Sequence, residues 1–488
     1  MFLSALRAID RPERIESSSW PLCATSLVTG QQGGASELPL GDASLCAKSS
    51  DASQQLVRYC LAMAFYRLAD NVVYRREGFG GTTLVGDAPG ARFFNKAASR
   101  VIEACLIQRL PSEVSFEAGI PLGKTKRFLE RLHRAGILEE SKYQRGSLSH
   151  ARHYFTDRAR AAHEGFSGPL GVEIELTLHC HRRCSYCAYD AGPSVSQKDE
   201  LQLDGWLQAL NHLSSQGVLF LRLTGGDPLT HPSFVNVFKA VDDLGFHSTV
   251  GTDLTSLSNC HIDALASAKR LHAVQTSLDG GDSRTADRFR GAGNFAEVTT
   301  GISRIVSSGV RVVVGTVITQ HNCDQVREIA VLLASLGVSG FWISPLIGAG
   351  RGSALDDHRP SVAQMDAAMR TYSDCVASGI IESADPAWGA IAPRLSEDAL
   401  GEIWKDHEIQ ARTPDRVLRV DPVGRCYPSI QSLQGVGSQT GYLGNLMNES
   451  LTDIWPRFLS AASSPERVDY FGTAVTISHR DRPRSRET

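Results

Sequence analysis

A chain of 488 residues, 42% hydrophobic and 21% charged, has the composition of a soluble globular protein, and its length implies two or three domains rather than one core. A formal net charge of -3 gives no electrostatic drive toward nucleic acid or an anionic membrane, so neither is expected as a partner. No apolar run approaches the ~20 residues of a membrane span, and Met1 to Ser19 lacks the long apolar segment of a secretory signal, so a cytoplasmic location is expected.

Residues 13 to 54 are rich in Ser, Gly and Ala without a sustained period, which predicts a flexible extension over 1–54. Leu56 to Leu68 is apolar-rich, with Tyr59, Met63 and Tyr66 spaced at three and four, and predicts a helix. Asn71–Glu77 and Thr82–Val85 read as a strand pair around the Gly80-Gly81 turn. Helices follow at Asn95–Ile107, with Asn95 as N-cap, at Ser112–Ala118, and at Lys124–Ala135, which Gly136 ends. Two strands and three helices predict a winged-helix-like domain over 55–149. His150 to Ser167 is polar and reads as a linker.

From Gly171 the rhythm changes. Strand-like runs at 172–178, 218–223, 247–251, 273–277, 310–318 and 340–343 alternate with helical stretches at 203–216, 233–244, 294–308 and 326–336. Six strand–helix alternations predict an α/β fold, a parallel sheet curved into a partial (β/α)6 barrel over 168–352. The rhythm fades beyond 352, where an α+β extension over 353–472 and a disordered basic tail over 473–488 are expected.

Eleven cysteines in so long a chain do not form a disulfide scaffold, and three of them cluster: Cys180, Cys184 and Cys187. Their C-x3-C-x2-C spacing falls on the loop after the first barrel strand, where catalytic residues of βα barrels gather. Thiolates suit an iron–sulfur cluster or zinc. A structural zinc site takes four protein ligands, and His179 or His181 is available as a fourth. Three thiolates on a cubane leave one iron open for a cofactor.

The triad, with Tyr186 before its last cysteine, resembles the signature of the radical SAM superfamily. Thr224-Gly225-Gly226-Asp227-Pro228 resembles the family's GGE-type motif, with Asp227 in place of the usual Glu. Ser277-Leu278-Asp279-Gly280 and Arg290-Gly291 occupy the region that contacts the carboxylate and ribose of the cofactor in that family. Asn322 and Gly350-Arg351-Gly352 recur in its peptide-modifying branches. The resemblance implies a 4Fe–4S cluster on Cys180, Cys184 and Cys187. It implies S-adenosyl-L-methionine bound near Tyr186, Gly225, Gly226, Asp227, Ser277, Asp279 and Arg290. Reductive cleavage to a 5′-deoxyadenosyl radical follows, with an electron donor such as flavodoxin or ferredoxin.

The flanks carry two further resemblances. Tyr74 to Gly81, Phe94 to Ala98 and Phe128 to Leu138 are similar to the pyrroloquinoline-quinone peptide-chaperone (PqqD-like) domain, which implies that a precursor peptide binds the N-terminal domain. Arg419 to Pro428, Tyr442 to Leu446 and Ser450 to Trp455 are similar to the end of SPASM and twitch extensions. Such extensions carry cysteine-rich auxiliary clusters, but this one has too few cysteines, so a single cluster is expected. Redox-neutral outcomes such as epimerisation then gain weight beside cross-link formation. Cys323, Cys375 and Cys426 are candidate hydrogen donors, although a lone cysteine is more often a small buried apolar residue. Two rivals stand beside peptide modification. One is radical chemistry on a sugar, nucleoside or amino acid. The other is a non-catalytic metal-binding regulator with a DNA-binding winged helix.

Overall fold

The computed structural model describes residues 64–76, 82–85, 92–141, 152–154, 168–346, 348–384, 417–428 and 441–462. All of them belong to the unit Met63–Thr488. The extension expected over 1–54, the Gly80-Gly81 turn and the basic tail lie outside the described residues.

Phe65–Leu68 forms strand β1 rather than the end of a helix. Tyr66 and Leu68 point inward while Arg67 pairs outward with Asp70 and Glu139, a period of two that a strand satisfies. Its antiparallel partner is β5 (Leu138–Ser141). A second sheet runs in the order β4 (Arg92–Phe94), β3 (Thr82–Val85), β2 (Val73–Arg76), β6 (Arg152–Tyr154). Strand β6 lies in the segment expected to be a linker and pairs parallel with β2.

Helices α1 (Lys96–Ala104), α2 (Pro111–Ala118) and α3 (Leu122–Arg134) pack on these strands. Asn95 caps α1 through its side-chain oxygen, 3.0 Å from the N–H groups of both Ala97 and Ala98. Tyr74, Phe94, Ile102, Phe128, Leu129 and Leu132 are fully or almost fully buried and form this unit's own core.

The barrel strands β7 (Gly171–Thr177), β8 (Phe220–Gly225), β9 (His247–Gly251), β10 (Leu271–Ser277), β11 (Val312–Ile318) and β12 (Gly340–Pro345) lie side by side in chain order, all parallel. The run is open: among the described strands β12 pairs only with β11, and its Phe341 makes an isolated parallel bridge to Ser383. Helices α4 (Leu203–Ser215), α5 (Phe234–Asp243), α6 (Asn259–Ser267), α7 (Ser283–Arg290), α8 (Asn294–Ser307) and α9 (Val326–Ser335) connect the strands. Helices α6 and α7 escape a sequence reading because they are short and their apolar stripe is thin. Leu265 is the one buried side chain of α6.

Helix α10 (Val362–Ala377) follows the barrel. The region expected as a separate extension then continues the same sheet. Strand β13 (Val417–Val420) adds parallel to the other edge of β7, with Arg419 opposite Glu173, and β14 (Arg425–Pro428) and β15 (Gly444–Asn445) follow antiparallel. The β7 edge would otherwise present unpaired N–H and C=O groups. Helix α11 (Leu451–Ala462) packs Ile454, Trp455 and Phe458 into the barrel core.

Arg75 joins the N-terminal unit to the barrel. It is 1% exposed and donates to the carbonyls of Pro169 (2.9 Å), Gly217 (3.0 Å) and Gly168 (3.3 Å). Those residues precede β7 and β8, so the N-terminal unit sits at the N-terminal ends of the barrel strands.

Candidate active site

The cysteine loop begins where β7 ends. Cys180, Cys184 and Cys187 all line one cleft at the C-terminal ends of the strands, with about 1020 Å³ of atom-free space open to solvent. Burial pushes the Cys180 thiol up, with Asp253 (Oδ2 3.7 Å from Sγ) adding to it, and burial also raises the Cys184 thiol. Buried thiols of this kind ionise when a metal takes the proton's place. Tyr186, Phe289 and Leu346 form a small apolar cluster against which Cys184 packs, a dry wall beside the triad.

The glycine pair explains where the loop sits. Gly225 has φ +125°, and a β-carbon on it would collide with the Thr177 carbonyl; one on Gly226 would collide with the His179 carbonyl. Lacking side chains, the pair lets the Gly226 N–H reach Thr177 O (2.7 Å) and the Asp227 N–H reach His179 O (2.9 Å). The end of β8 is thereby bonded to the backbone on both sides of Leu178, immediately before Cys180.

Asp227 itself is fully buried behind this contact and does not line the cleft. It accepts from Thr252 Oγ1 (2.7 Å) and the Leu229 N–H (3.2 Å). Burial and then the neighbouring Asp253 push its carboxyl well above the usual carboxylate range. The carboxylate on the cleft wall is Asp253, just after β9. The sequence signal for it is its position at a strand's C-terminal end.

Asp279 is likewise set behind the wall, 2% exposed. It accepts from Tyr186 Oη, from Arg290 Nε (2.5 Å) and from the Val317 N–H (2.9 Å). Arg290 lies over the Tyr186 ring at 5.3 Å. Asp279 therefore fixes the two groups that do face the cleft, Tyr186 and Arg290. Ser277, Gly225 and Gly226 also line it. Asn322 is buried and bonds the Asp279 and Val317 carbonyls (both 2.9 Å), bracing the same wall.

The candidate hydrogen donors do not reach the cleft. Cys375 on α10 and Cys426 on β14 are completely buried in the barrel core, and burial pushes both thiols up. Cys323 follows β11 with its thiol 3.7 Å from Gln320 O, away from the cleft-lining residues. Sequence reading missed Tyr189, Arg222 and Gln275, which line the cleft together with Arg351 of the Gly350-Arg351-Gly352 motif. Tyr189 Oη lies 2.5 Å from one Glu173 oxygen, and Arg222 lies 3.1 Å from the other.

Among the described residues, no three His, Cys, Asp or Glu side chains converge as for one metal ion. The three cysteines nonetheless share one cleft, and three soft donors spread around a cavity suit a multi-iron cluster whose irons each take one thiolate. Among those same residues, no helix is long and apolar enough to cross a membrane.

The chain is similar to known proteins in sequence and in fold. The family model described as the radical SAM superfamily matches residues 174–333. The chain is 26% identical over 325 residues to a PqqA peptide cyclase of Methylobacterium sp. (strain 4-46), covering 63% of this chain and 76% of that one. It is 26% identical over 196 residues to an AdoMet-dependent heme synthase of Methanosarcina barkeri, covering 40% and 56%. Its fold resembles that of Streptococcus suis SuiB bound to precursor peptide SuiA, with a TM-score of 0.59 at 16% identity over 82% of this chain and 91% of that one.

Proposed function

We propose, from the premise that the domain at residues 174–333 makes this chain a radical SAM enzyme, that it modifies a ribosomally made peptide by epimerisation or cross-link formation. The observation that carries this reading is the convergence of Cys180, Cys184 and Cys187 on one cleft, in a chain whose N-terminal unit is anchored to the same barrel through Arg75. The names of a PqqA peptide cyclase and of SuiB bound to a precursor peptide support the choice of a peptide.

Cys180, Cys184 and Cys187 would hold one 4Fe–4S cluster, and the wall formed by Gly225, Gly226, Ser277, Tyr186, Arg290 and Asp253 would hold S-adenosylmethionine. Together these groups supply a 5′-deoxyadenosyl radical when bound. The chain's own residues bind, orient and exclude water. Tyr186 and Leu346 keep the triad's surroundings apolar, and Asp279 fixes Arg290 as a cation at the cleft wall. One cluster is proposed because the extension's described cysteines, Cys375 and Cys426, are core residues.

The precursor would dock on the N-terminal sheet, where β4 pairs only with β3 among the described residues. The anchor lies at the opposite end of the strands from the cysteines. A seven-residue strand rises ~23 Å, so a leader held there would need at least about seven extended residues to bring its target to the cleft. An electron donor of the flavodoxin or ferredoxin class and a cytoplasmic location complete the proposal. The location follows from thiols that must stay reduced, and the donor from the electron that reductive cleavage of S-adenosylmethionine consumes. The second reading, radical chemistry on a small molecule, is favoured by the similarity to an AdoMet-dependent heme synthase.

The test is anaerobic. The protein is reconstituted with iron and sulfide, reduced with dithionite and given S-adenosylmethionine, and 5′-deoxyadenosine is measured by mass spectrometry. Formation that disappears in Cys184→Ala supports the chemistry, and absence from a fully loaded protein with and without peptides refutes it. Stimulation by small metabolites but not by peptides would select the second reading.

A further inference from the structure

We propose that Arg351 is a positioning residue for the cluster, a latch that closes the open side of the barrel across the cysteine loop. The six parallel strands leave β7 and β12 at opposite ends of the run, unpaired with each other. The loop after β12 crosses that gap and grips the loop after β7. The Arg351 backbone N–H donates to Cys187 O (3.0 Å), its Nε to Cys184 O (2.9 Å), and one Nη to Ala191 O (2.7 Å). The other Nη pairs with Asp190 at 2.8 Å.

Two backbone features fit the loop to this grip. Gly350 has φ +53°, and a β-carbon there would collide with the Cys187 carbonyl, so only glycine lets the two loops approach. Asp190 adopts the left-handed region at φ +56°, uncommon outside glycine, and is held by Arg351. Two of the three cysteine carbonyls thus bond to one residue, Cys184 O to its side chain and Cys187 O to its backbone N–H. The Arg351 guanidinium is 18% exposed, whereas Asp190 is 72% exposed, so the carbonyl bonds are the sheltered part of the grip. Planar, five-donor geometry is needed to serve three acceptors at once, and lysine cannot supply it.

The proposal rests on the reading of the triad as cluster ligands, and its first test does not. Amide exchange over residues 180–192 is compared in the apo full-length protein for wild type, Arg351→Lys and Asp190→Ala, with the melting temperature as a check on folding. The latch predicts that Arg351→Lys exchanges at least about tenfold faster there, the effect of losing one charge-assisted hydrogen bond. Asp190→Ala removes an exposed ion pair and leaves alanine in the left-handed region, and it is expected to speed exchange over 180–192 less than Arg351→Lys does. After anaerobic reconstitution, Arg351→Lys is expected to hold less than half the wild-type iron and sulfide, or to show shifted electron paramagnetic resonance g-values. Unchanged exchange and unchanged iron would overturn the latch. Equal effects of Arg351→Lys and Asp190→Ala would overturn the role of the carbonyl bonds. Faster exchange with no iron bound by wild type would leave the latch standing and sink the cluster reading instead.

Discussion

Arg419 of β13 donates to Glu175 of β7 at 2.8 Å, with both side chains almost wholly enclosed, so the chain's C-terminal region places a charge inside the barrel. Arg419 also lies over the Tyr427 ring at 4.8 Å. Removing it leaves the Glu175 carboxyl in the interior without its cation, a stranded charge once the pH is high enough to ionise it. Arg419→Ala is expected to lower stability by about 3–5 kcal/mol, read from urea unfolding, while Arg419→Ala with Glu175→Gln recovers part of the loss. If the single and double variants unfold alike, the loss does not come from an unpaired Glu175 charge.

Burial pushes the Glu175 carboxyl from 4.5 up to about 7, with the Arg419 charge opposing it only in part. The folded state therefore holds a proton that the unfolded chain has released. That contribution favours folding below about pH 4.5 and is lost as pH rises through about 7, a swing of at most about 3 kcal/mol. The melting temperature of wild type relative to Glu175→Gln should fall between pH 5 and pH 8. A constant difference across that range would exclude the shift.

Gly225 tests the seating of the cysteine loop. Alanine there meets both a φ of +125° and the Thr177 carbonyl. Gly225→Ala is expected to cost about 1–3 kcal/mol in backbone strain and to reduce bound iron after reconstitution. Full iron occupancy in a stable Gly225→Ala protein would show that the β8 contact does not place the triad.

Arg75 tests the attachment of the N-terminal unit. Arg75→Ala leaves the carbonyls of Gly168, Pro169 and Gly217 without its charged donor, a loss of about 1.5–3 kcal/mol for the first bond alone. Faster amide exchange in β2 and at Leu170, with the cysteine loop unaffected, is the expected pattern. Protection unchanged in β2 would mean that the interface is held elsewhere.

Asp279→Asn should leave the Arg290 guanidinium without its carboxylate in a nearly closed pocket. The expected result is weaker binding of S-adenosylmethionine to the reconstituted protein by roughly tenfold or more, measured by equilibrium dialysis, if Arg290 holds an anionic group there. Equal binding by wild type and variant would place the cofactor's contacts on other parts of the wall.

The sequence determined a good deal alone. The six barrel strands and their four long helices were legible because buried parallel strands and amphipathic helices leave periods of local composition. Strand β9 (His247–Gly251) falls on its predicted bounds, and the Asn95 cap acts through the side chain that suggested it. The C-x3-C-x2-C spacing needed no partner from elsewhere in the chain.

The tertiary structure decided what depends on distant pairing. Phe65–Leu68 is a strand because Leu138–Ser141 lies beside it, and Arg152–Tyr154 is one because β2 does. Strand β13 joins the barrel sheet from some 240 residues along the chain. Burial likewise moved Asp227 and Asp279 behind the cleft wall, kept Cys375 and Cys426 in the core, and brought Arg351 onto the cysteine carbonyls. Local sequence fixes the energy of a turn or a helix face, whereas which carboxylate faces a cavity depends on side chains that meet only after folding.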